Sequence, residues 1–167
     1  MPNATVAARP ETAFRLRAAS PEDGEAIAAL LREAFAPYDG KIQPRPGALS
    51  ETGASIAAAL ENGAGSVAEA GGLLVGSVLW HPEGDGFYLG RLAVKPGWQR
   101  RGIARALVES AIEAARIARR AQVTLNVRIL LPDNVAFFES LGFERAAARP
   151  HPGFDHPTYY VMVRRVD

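Results

Sequence analysis

A chain of 167 residues has the usual length of one domain. Its 48% apolar and 22% charged residues suit a globular protein with a buried core. A net charge of +1 excludes a nucleic-acid binder working by bulk electrostatics. The absence of cysteine excludes a disulfide framework, a thiolate metal site and a cysteine nucleophile. No apolar run reaches the ~18 residues that a membrane-spanning helix needs. Residues 1–13, MPNATVAARPETA, lack the apolar stretch of a signal peptide and read as a flexible arm. The cytoplasm is the default location, and residues 14–167 form the expected single domain.

Phe14–Arg17 alternates apolar and basic residues, the pattern of a half-buried strand. Ser20-Pro21-Glu22-Asp23 reads as a helix start, with Ser20 as cap and proline at the first helical position. Ile27, Leu30, Leu31, Ala34 and Phe35 continue at helical spacing, and Pro37 ends the helix. Asp39–Gly47 reads as a mobile loop. A second helix runs from about Ser50 to Leu60, stopped by Asn62-Gly63. Ser66–Ala70, Leu73–Trp80 and Phe87–Val94 are three strands with glycine-rich turns between them, hence an antiparallel meander. The clearest amphipathic helix spans Gly102 to Arg120, its apolar stripe being Ile103, Leu107, Val108, Ala111, Ile112, Ala115 and Ala118. Val123–Ile129 is a strand, Asp133–Leu141 a short helix stopped by Gly142, and Phe143–Ala147 and Thr158–Arg165 the last strands. This order predicts an α/β (α+β) fold: a mixed, mostly antiparallel central sheet flanked by helices.

The stretch Leu92-Ala93-Val94-Lys95-Pro96-Gly97-Trp98-Gln99-Arg100-Arg101-Gly102-Ile103-Ala104 carries the chemistry. A buried strand ends, a tight loop follows, and a long helix begins. The first amides of a helix lack internal partners and lie at the positive end of its dipole, so the junction is ready to hold an anion. Gly102 and Ala104 let a ligand approach the backbone, and Arg100, Arg101 and Arg105 add charge. On composition alone, a helix start with two solvated arginines explains the stretch equally well. The better-known phosphate loops do not fit. There is no G-x-x-x-x-G-K-S/T, and Gly84 and Gly86 are followed by Leu89 where a dinucleotide fingerprint needs glycine.

Gln99-x-x-Gly102-x-Ala104 after Leu92-Ala93-Val94 resembles the coenzyme-A-binding motif of the GNAT N-acetyltransferases. Phe138-Glu139-Ser140-Leu141-Gly142-Phe143 resembles a second family feature, a short helix ending in aromatic-Glu-x-x-Gly-Phe. The element order from Phe14 to Val166 is similar too. The resemblance implies a GNAT-type acyl-CoA N-acyltransferase fold, with acetyl-CoA as cosubstrate and an amine as acceptor. It implies that Leu92, Ala93 and Val94 hold the pantetheine and acetyl carbonyl. The amides of Arg100, Arg101, Gly102, Ile103 and Ala104 hold the pyrophosphate, and Gln99 and Arg105 belong to the same cofactor-binding set. Asn134 contacts the pantetheine or, equally, caps its helix. Phe138 stands where many members carry a tyrosine that protonates the leaving thiolate. Leu131 replaces the usual asparagine, and no glutamate lies between Phe87 and Val94, where a base is often found. The catalytic acid and base are therefore unassigned.

With no cysteine to carry the acetyl group, an amine must attack the thioester directly. His151 and His156, on the segment His151-Pro152-Gly153-Phe154-Asp155-His156-Pro157-Thr158, are candidates for the acceptor pocket or a proton relay. A rigid proline-rich turn with exposed histidines is the simpler explanation. Tyr38 is a further candidate at the acceptor side. Two histidines and an aspartate on one loop lack ligand-like spacing, so no metal is expected. Glu33, Asp39 and Glu51 lie where the family builds its acceptor pocket and would attract a cationic amine, although scattered surface acids explain them as well. Trp80, Trp98, Tyr159 and Tyr160 read as packing residues. An acyl-CoA-binding module without catalysis is the main competing function, and a nucleotide-binding protein a distant one. A homodimer is left open.

Overall fold

A computed structural model describes residues 13–167; apart from Ala13, the expected N-terminal arm lies outside the described residues. The apolar middle of the chain, punctuated by glycines, folds as the expected meander: β2 (Ala64–Ala70), β3 (Leu73–Glu83) and β4 (Gly86–Val94). β3 runs beyond the predicted end at Trp80. The chain reverses only at Gly84-Asp85, so Pro82 and Glu83 stay in the ladder opposite Phe87 and Gly86. β1 (Arg15–Ala18) pairs outside β2. The other elements, in chain order, are α1 (Gly24–Phe35), α2 (Gly53–Glu61), α3 (Ile103–Ile117), β5 (Gln122–Arg128), α4 (Pro132–Ser140), β6 (Glu144–Arg149) and β7 (Tyr159–Arg165).

The seven strands form one sheet in the order β1-β2-β3-β4-β5-β7-β6. Every neighbouring pair is antiparallel except β4 and β5, which are parallel. The fold is the mixed, mostly antiparallel sheet with flanking helices read from the sequence. Side-chain alternation along the strands divides the core between the two faces. Val67 and Leu79 turn toward Ile27, Leu31, Ile56 and Leu60 of α1 and α2. Ala68, Val78 and Trp80 turn toward α3. α3 buries Ile103, Leu107, Val108, Ala111, Ile112 and Ala115, as its periodicity predicts. It lies close to the sheet at Gly76, where a Cβ would come within 2.8 Å of Ile103 and 2.9 Å of Leu107.

α3 stops at Ile117, three residues before the predicted end at Arg120. Arg119 takes a left-handed φ of +54°, and the Arg120 amide turns back to the Ala115 carbonyl at 2.9 Å. Ala118, placed on the apolar stripe from sequence, is consequently exposed. The segment Asp39–Gly47 is irregular, as expected, but it is tethered. Ile42 is buried, Arg45 reaches Asp39 and Ser50, and the Arg128 guanidinium donates to the Pro44 carbonyl. No helix among the described residues is long and apolar enough to cross a membrane.

The head of α1 shows how charge fixes the fold's edge. Pro21–Asp23 is a 3-10 turn, and the α-helix begins only at Gly24. Ser20 is the cap, as expected, with Pro21 first in the turn, and Asp23 closes a capping box with it. Asp23 also does more than close the box. Its carboxylate accepts the Ser20 amide at 2.8 Å and both terminal nitrogens of Arg17 at 2.8 Å. Arg17 also donates to Glu69 on β2 at 2.8 Å. The Arg17 hydrogen bonds, against the opposing effect of burial, hold the Asp23 carboxyl below the usual carboxylate range. A depressed folded-state pKa stabilises the fold above the unfolded value of about 3.9, and that stability is lost as pH falls through the folded pKa. Asp23→Asn is expected to cost about 1–3 kcal/mol at neutral pH, which thermal melts would read as a lower midpoint. The two proteins should converge as the pH is lowered and the parent's Asp23 also becomes neutral.

Candidate active site

β4 and β5 pair only at their beginnings, Phe87 beside Val123 and Tyr88 beside Thr124. Beyond these two pairs the strands part. The ends Leu89–Val94 and Leu125–Arg128 become two facing walls of a cavity of about 840 Å³. That is within the ~300–1,000 Å³ typical of small-molecule sites. The first turn of α3, the inner face of α4 and the tethered segment after α1 complete it.

The β4 wall is bent by a bulge. Leu79 faces Gly90 and Ser77 faces Ala93, so β4 carries one residue more than β3 across this stretch. The excess falls at Arg91-Leu92, with Arg91 at a left-handed φ of +54°. A bulge re-aims the backbone and leaves part of it unpaired. Ser77, fully buried, donates its hydroxyl to the Arg91 carbonyl at 3.0 Å and so pins the distortion. The bulge, Ser77 and Arg91 were all missed from sequence. The one available signal was a serine inside the apolar run Leu73–Trp80.

At one end of the cavity α3 begins without a side-chain cap. Its first internal bond is the Ala106 amide to the Gly102 carbonyl at 3.0 Å, which leaves the amides of Ile103, Ala104 and Arg105 ahead of it. Gly102 has a φ of +83°, and a Cβ placed there would meet no atom within 4 Å. Open space thus lies before a run of free donors at the positive end of a helix, where an anion fits. Gln99, Arg100, Gly102, Ile103, Ala104 and Arg105 all line this end. Arg101 does not. Its guanidinium lies 4.5 Å over the Trp98 ring and donates to the Gly97 carbonyl.

Leu92, Ala93 and Val94 line the cavity, and so do Asn134 and Phe138. Asn134 is not the helix cap, because Leu131 occupies that position. Phe138 is buried against Phe137 and Phe143 and carries no proton to give. His151 lines the other end of the cavity. Thr158 Oγ1 accepts the His151 amide at 2.8 Å and is in hydrogen-bond contact with Nδ1 of the same residue. Burial first, and the Arg128 charge second, hold the His151 imidazole below its ordinary range. Burial likewise lowers the Arg128 guanidinium and raises the Tyr88 phenol, which share this end.

The remaining acceptor-side candidates are not brought to the cavity. His156 is exposed, pairs with Asp155 at 2.9 Å and borders a separate small depression. Tyr38 packs edge-on against Phe35. Each acid offered as an attractor of cations is in an ion pair: Glu33 with Lys95 at 2.9 Å, Asp39 with Arg45 at 3.2 Å and Glu51 with Arg91 at 2.5 Å. Among the described residues no three His, Asp or Glu side chains are grouped to hold a metal.

A mixed sheet that parts at its centre, with a free helix start in the gap, defines the acyl-CoA N-acyltransferase fold. A family model described as "Acetyltransferase (GNAT) domain" matches residues 61–145, and the chain belongs to the GNAT acetyltransferase family. Solved structures agree on the fold. A GNAT-family acetyltransferase from Streptococcus pneumoniae superposes with a TM-score of 0.75 at 17% identity, over 93% of this chain and 100% of that one. The ribosomal-protein-S18-alanine N-acetyltransferase of Escherichia coli gives 0.75 at 22% identity, over 93% and 95%. The PaiA N-acetyltransferase of Thermoplasma acidophilum, in complex with coenzyme A, gives 0.75 at 18%, over 92% and 99%. No curated protein matches the chain in sequence.

The electrostatics of the His151 end are open to direct measurement. In an NMR titration, the His151 ring is expected to change protonation below the ordinary histidine value of about 6.5. Arg128→Gln should move that midpoint upward, because a like charge is removed. It should not restore the ordinary value, because burial is the larger cause. A midpoint unmoved by the substitution would contradict the described contact of charges.

Proposed function

We propose that this chain is an N-acetyltransferase that moves the acetyl group of acetyl-CoA to a primary amine by direct attack in a ternary complex. The observation that carries the reading is the convergence, on one cavity, of a capless helix start and a bulged strand edge with unpaired backbone. The first suits a pyrophosphate, the second an amide-bearing arm and a thioester carbonyl. The fold neighbours include a structure with coenzyme A and one from Salmonella typhimurium with acetyl-CoA, which supports the choice of donor.

In this reading the amides from Arg100 to Ala104 hold the pyrophosphate, with Gln99, Arg100 and Arg105 around it. The edge Leu92–Val94 pairs with the pantetheine arm, and Asn134 and Phe138 wall its far side. The amine nitrogen attacks the carbonyl carbon, charge develops on the carbonyl oxygen, and backbone donors at the bulge stabilise it. The carbon–sulfur bond breaks with its electron pair on sulfur. A proton must leave the amine, and in this reading His151, which lines the cavity, takes it. In the tautomer that donates Nδ1–H to Thr158, Nε2 keeps a lone pair, and the lowered pKa favours the neutral ring. The departing thiolate, with a conjugate pKa of roughly 8.5, takes its proton from solvent, so Phe138 is no obstacle.

A second reading has two observations in its favour. Phe138 replaces the tyrosine acid and β4 carries no glutamate base, as a coenzyme-A-binding module without catalysis would. Calorimetry and thiol release separate the two. Acetyl-CoA is expected to bind at micromolar strength, about −8 kcal/mol. Turnover with amines should then release thiol, and His151→Gln should bind but turn over poorly. Gly102→Ala and Gly97→Ala make a matched pair. Both glycines have left-handed φ, +83° and +88°, and neither would bring a Cβ within 4 Å of another atom. Both alanines carry similar strain, ~1–2 kcal/mol, but only Gly102 lines the cavity. Gly102→Ala should weaken binding by about tenfold, or ~1.4 kcal/mol, and Gly97→Ala far less. Absent binding at millimolar ligand would refute the reading. Binding without thiol release from any amine would favour the module.

A further inference from the structure

We propose that the amine accepted at this site bears a carboxylate, as an amino acid does, and that Arg128 recognises it; this rests on the acetyl-transfer reading above. The charge around the cavity is one-sided. Arg91, Arg100, Arg105 and Arg128 line it, and no Asp or Glu does. Arg100 and Arg105 belong to the helix-start end. At the other end Arg91 is neutralised by Glu51 at 2.5 Å, whose side chain is only 11% exposed. The remaining cation is Arg128.

Arg128 is half-buried at the end of β5. One of its nitrogens, Nη1, donates to the Pro44 carbonyl at 2.8 Å. No ion pair with an Asp or Glu is formed among the described residues, and burial acts on its charge with no carboxylate opposing it. A partly buried charge without a counter-ion is costly. A guanidinium has five donors in a planar fork, and the geometry that uses the fork is a bidentate carboxylate. A single carbonyl does not require it. Tyr159, opposite Arg128 in the sheet, has its ring 4.8 Å from that of His151, and Arg128 and His151 both line the cavity, so the anion site and the proton acceptor adjoin. An amino acid carries its carboxylate one carbon from its amine and can span both. A polyamine cannot be held this way. Its second cation would meet Arg128, with Glu33, Asp39 and Glu51 already engaged.

The test uses the full chain with saturating acetyl-CoA and measures thiol release with the protein amino acids, each beside its own carboxamide, and with spermidine. The acid of each accepted pair should exceed its amide by about tenfold or more in kcat/KM, chiefly through KM. Arg128→Gln should bring that ratio close to one, and Arg128→Lys should keep part of it. Calorimetry with acetyl-CoA on the same variants shows that the donor site and the fold persist. The proposal is overturned if amides match or exceed acids, if spermidine is the better acceptor, if no carboxylate-bearing amine is accepted by protein that binds acetyl-CoA, or if Arg128→Gln leaves the ratio unchanged. A parent protein that fails to bind acetyl-CoA would instead remove the acetyl-transfer reading, and this proposal with it.

Discussion

The parting of β4 and β5 after two residue pairs is the constraint on which the rest of the structure depends. A sheet interrupted at its centre exposes backbone donors and acceptors that elsewhere would be satisfied by a neighbouring strand. Such an interruption is costly unless a ligand completes the ladder or the surrounding packing holds the strands in place. The second condition is met here. Gly76 lets α3 pack tightly under the meander, and buried Ser77 ties the bulge of β4 to β3. On the far side, β5 stays in register with β7 along its whole length. The gap is therefore rigid on both walls and open between them.

The two ends of the same gap differ in chemistry. At the α3 end, free amides and arginines offer hydrogen bonds and positive charge without any competing carboxylate. At the other end, the acids near the site are all paired, the His151 imidazole, its pKa lowered chiefly by burial, is held by Thr158, and Arg128 links β5 to the segment after α1. The bulge lies between the two ends. Arg91 illustrates how local strain and site architecture coincide: its left-handed backbone makes the bend, its carbonyl is anchored by Ser77, and its side chain is neutralised by Glu51.

Much of this was legible in the sequence because the signals are local. The apolar stripe of α3, the meander, and the strand–loop–helix stretch from Leu92 to Ala104 all declare themselves within a few residues of chain. What was not legible depends on partners far apart. Arg128 and Pro44 are 84 residues apart in sequence, and nothing in either neighbourhood announces the contact. His151 and His156 look alike on one loop, yet only His151 lies on the cavity, because the turn between them aims the two rings differently. Arg101 looks like a third anion-binding arginine but stacks on Trp98, three residues earlier. The end of α3 was missed because Arg119 adopts a backbone conformation usually left to glycine. The bulge escaped notice because it is a mismatch between two strands, and no single strand contains it.

Amide hydrogen exchange with and without coenzyme A tests the central claim most directly. The account predicts slowed exchange in two stretches, the β4 edge at Leu92–Val94 and the start of α3 at Ile103–Arg105. The outer strand β6 and the exposed face of α2 should be unchanged. Protection elsewhere, or binding with no protection in either stretch, would contradict the claim that the gap between β4 and β5 is where the chain meets its ligand.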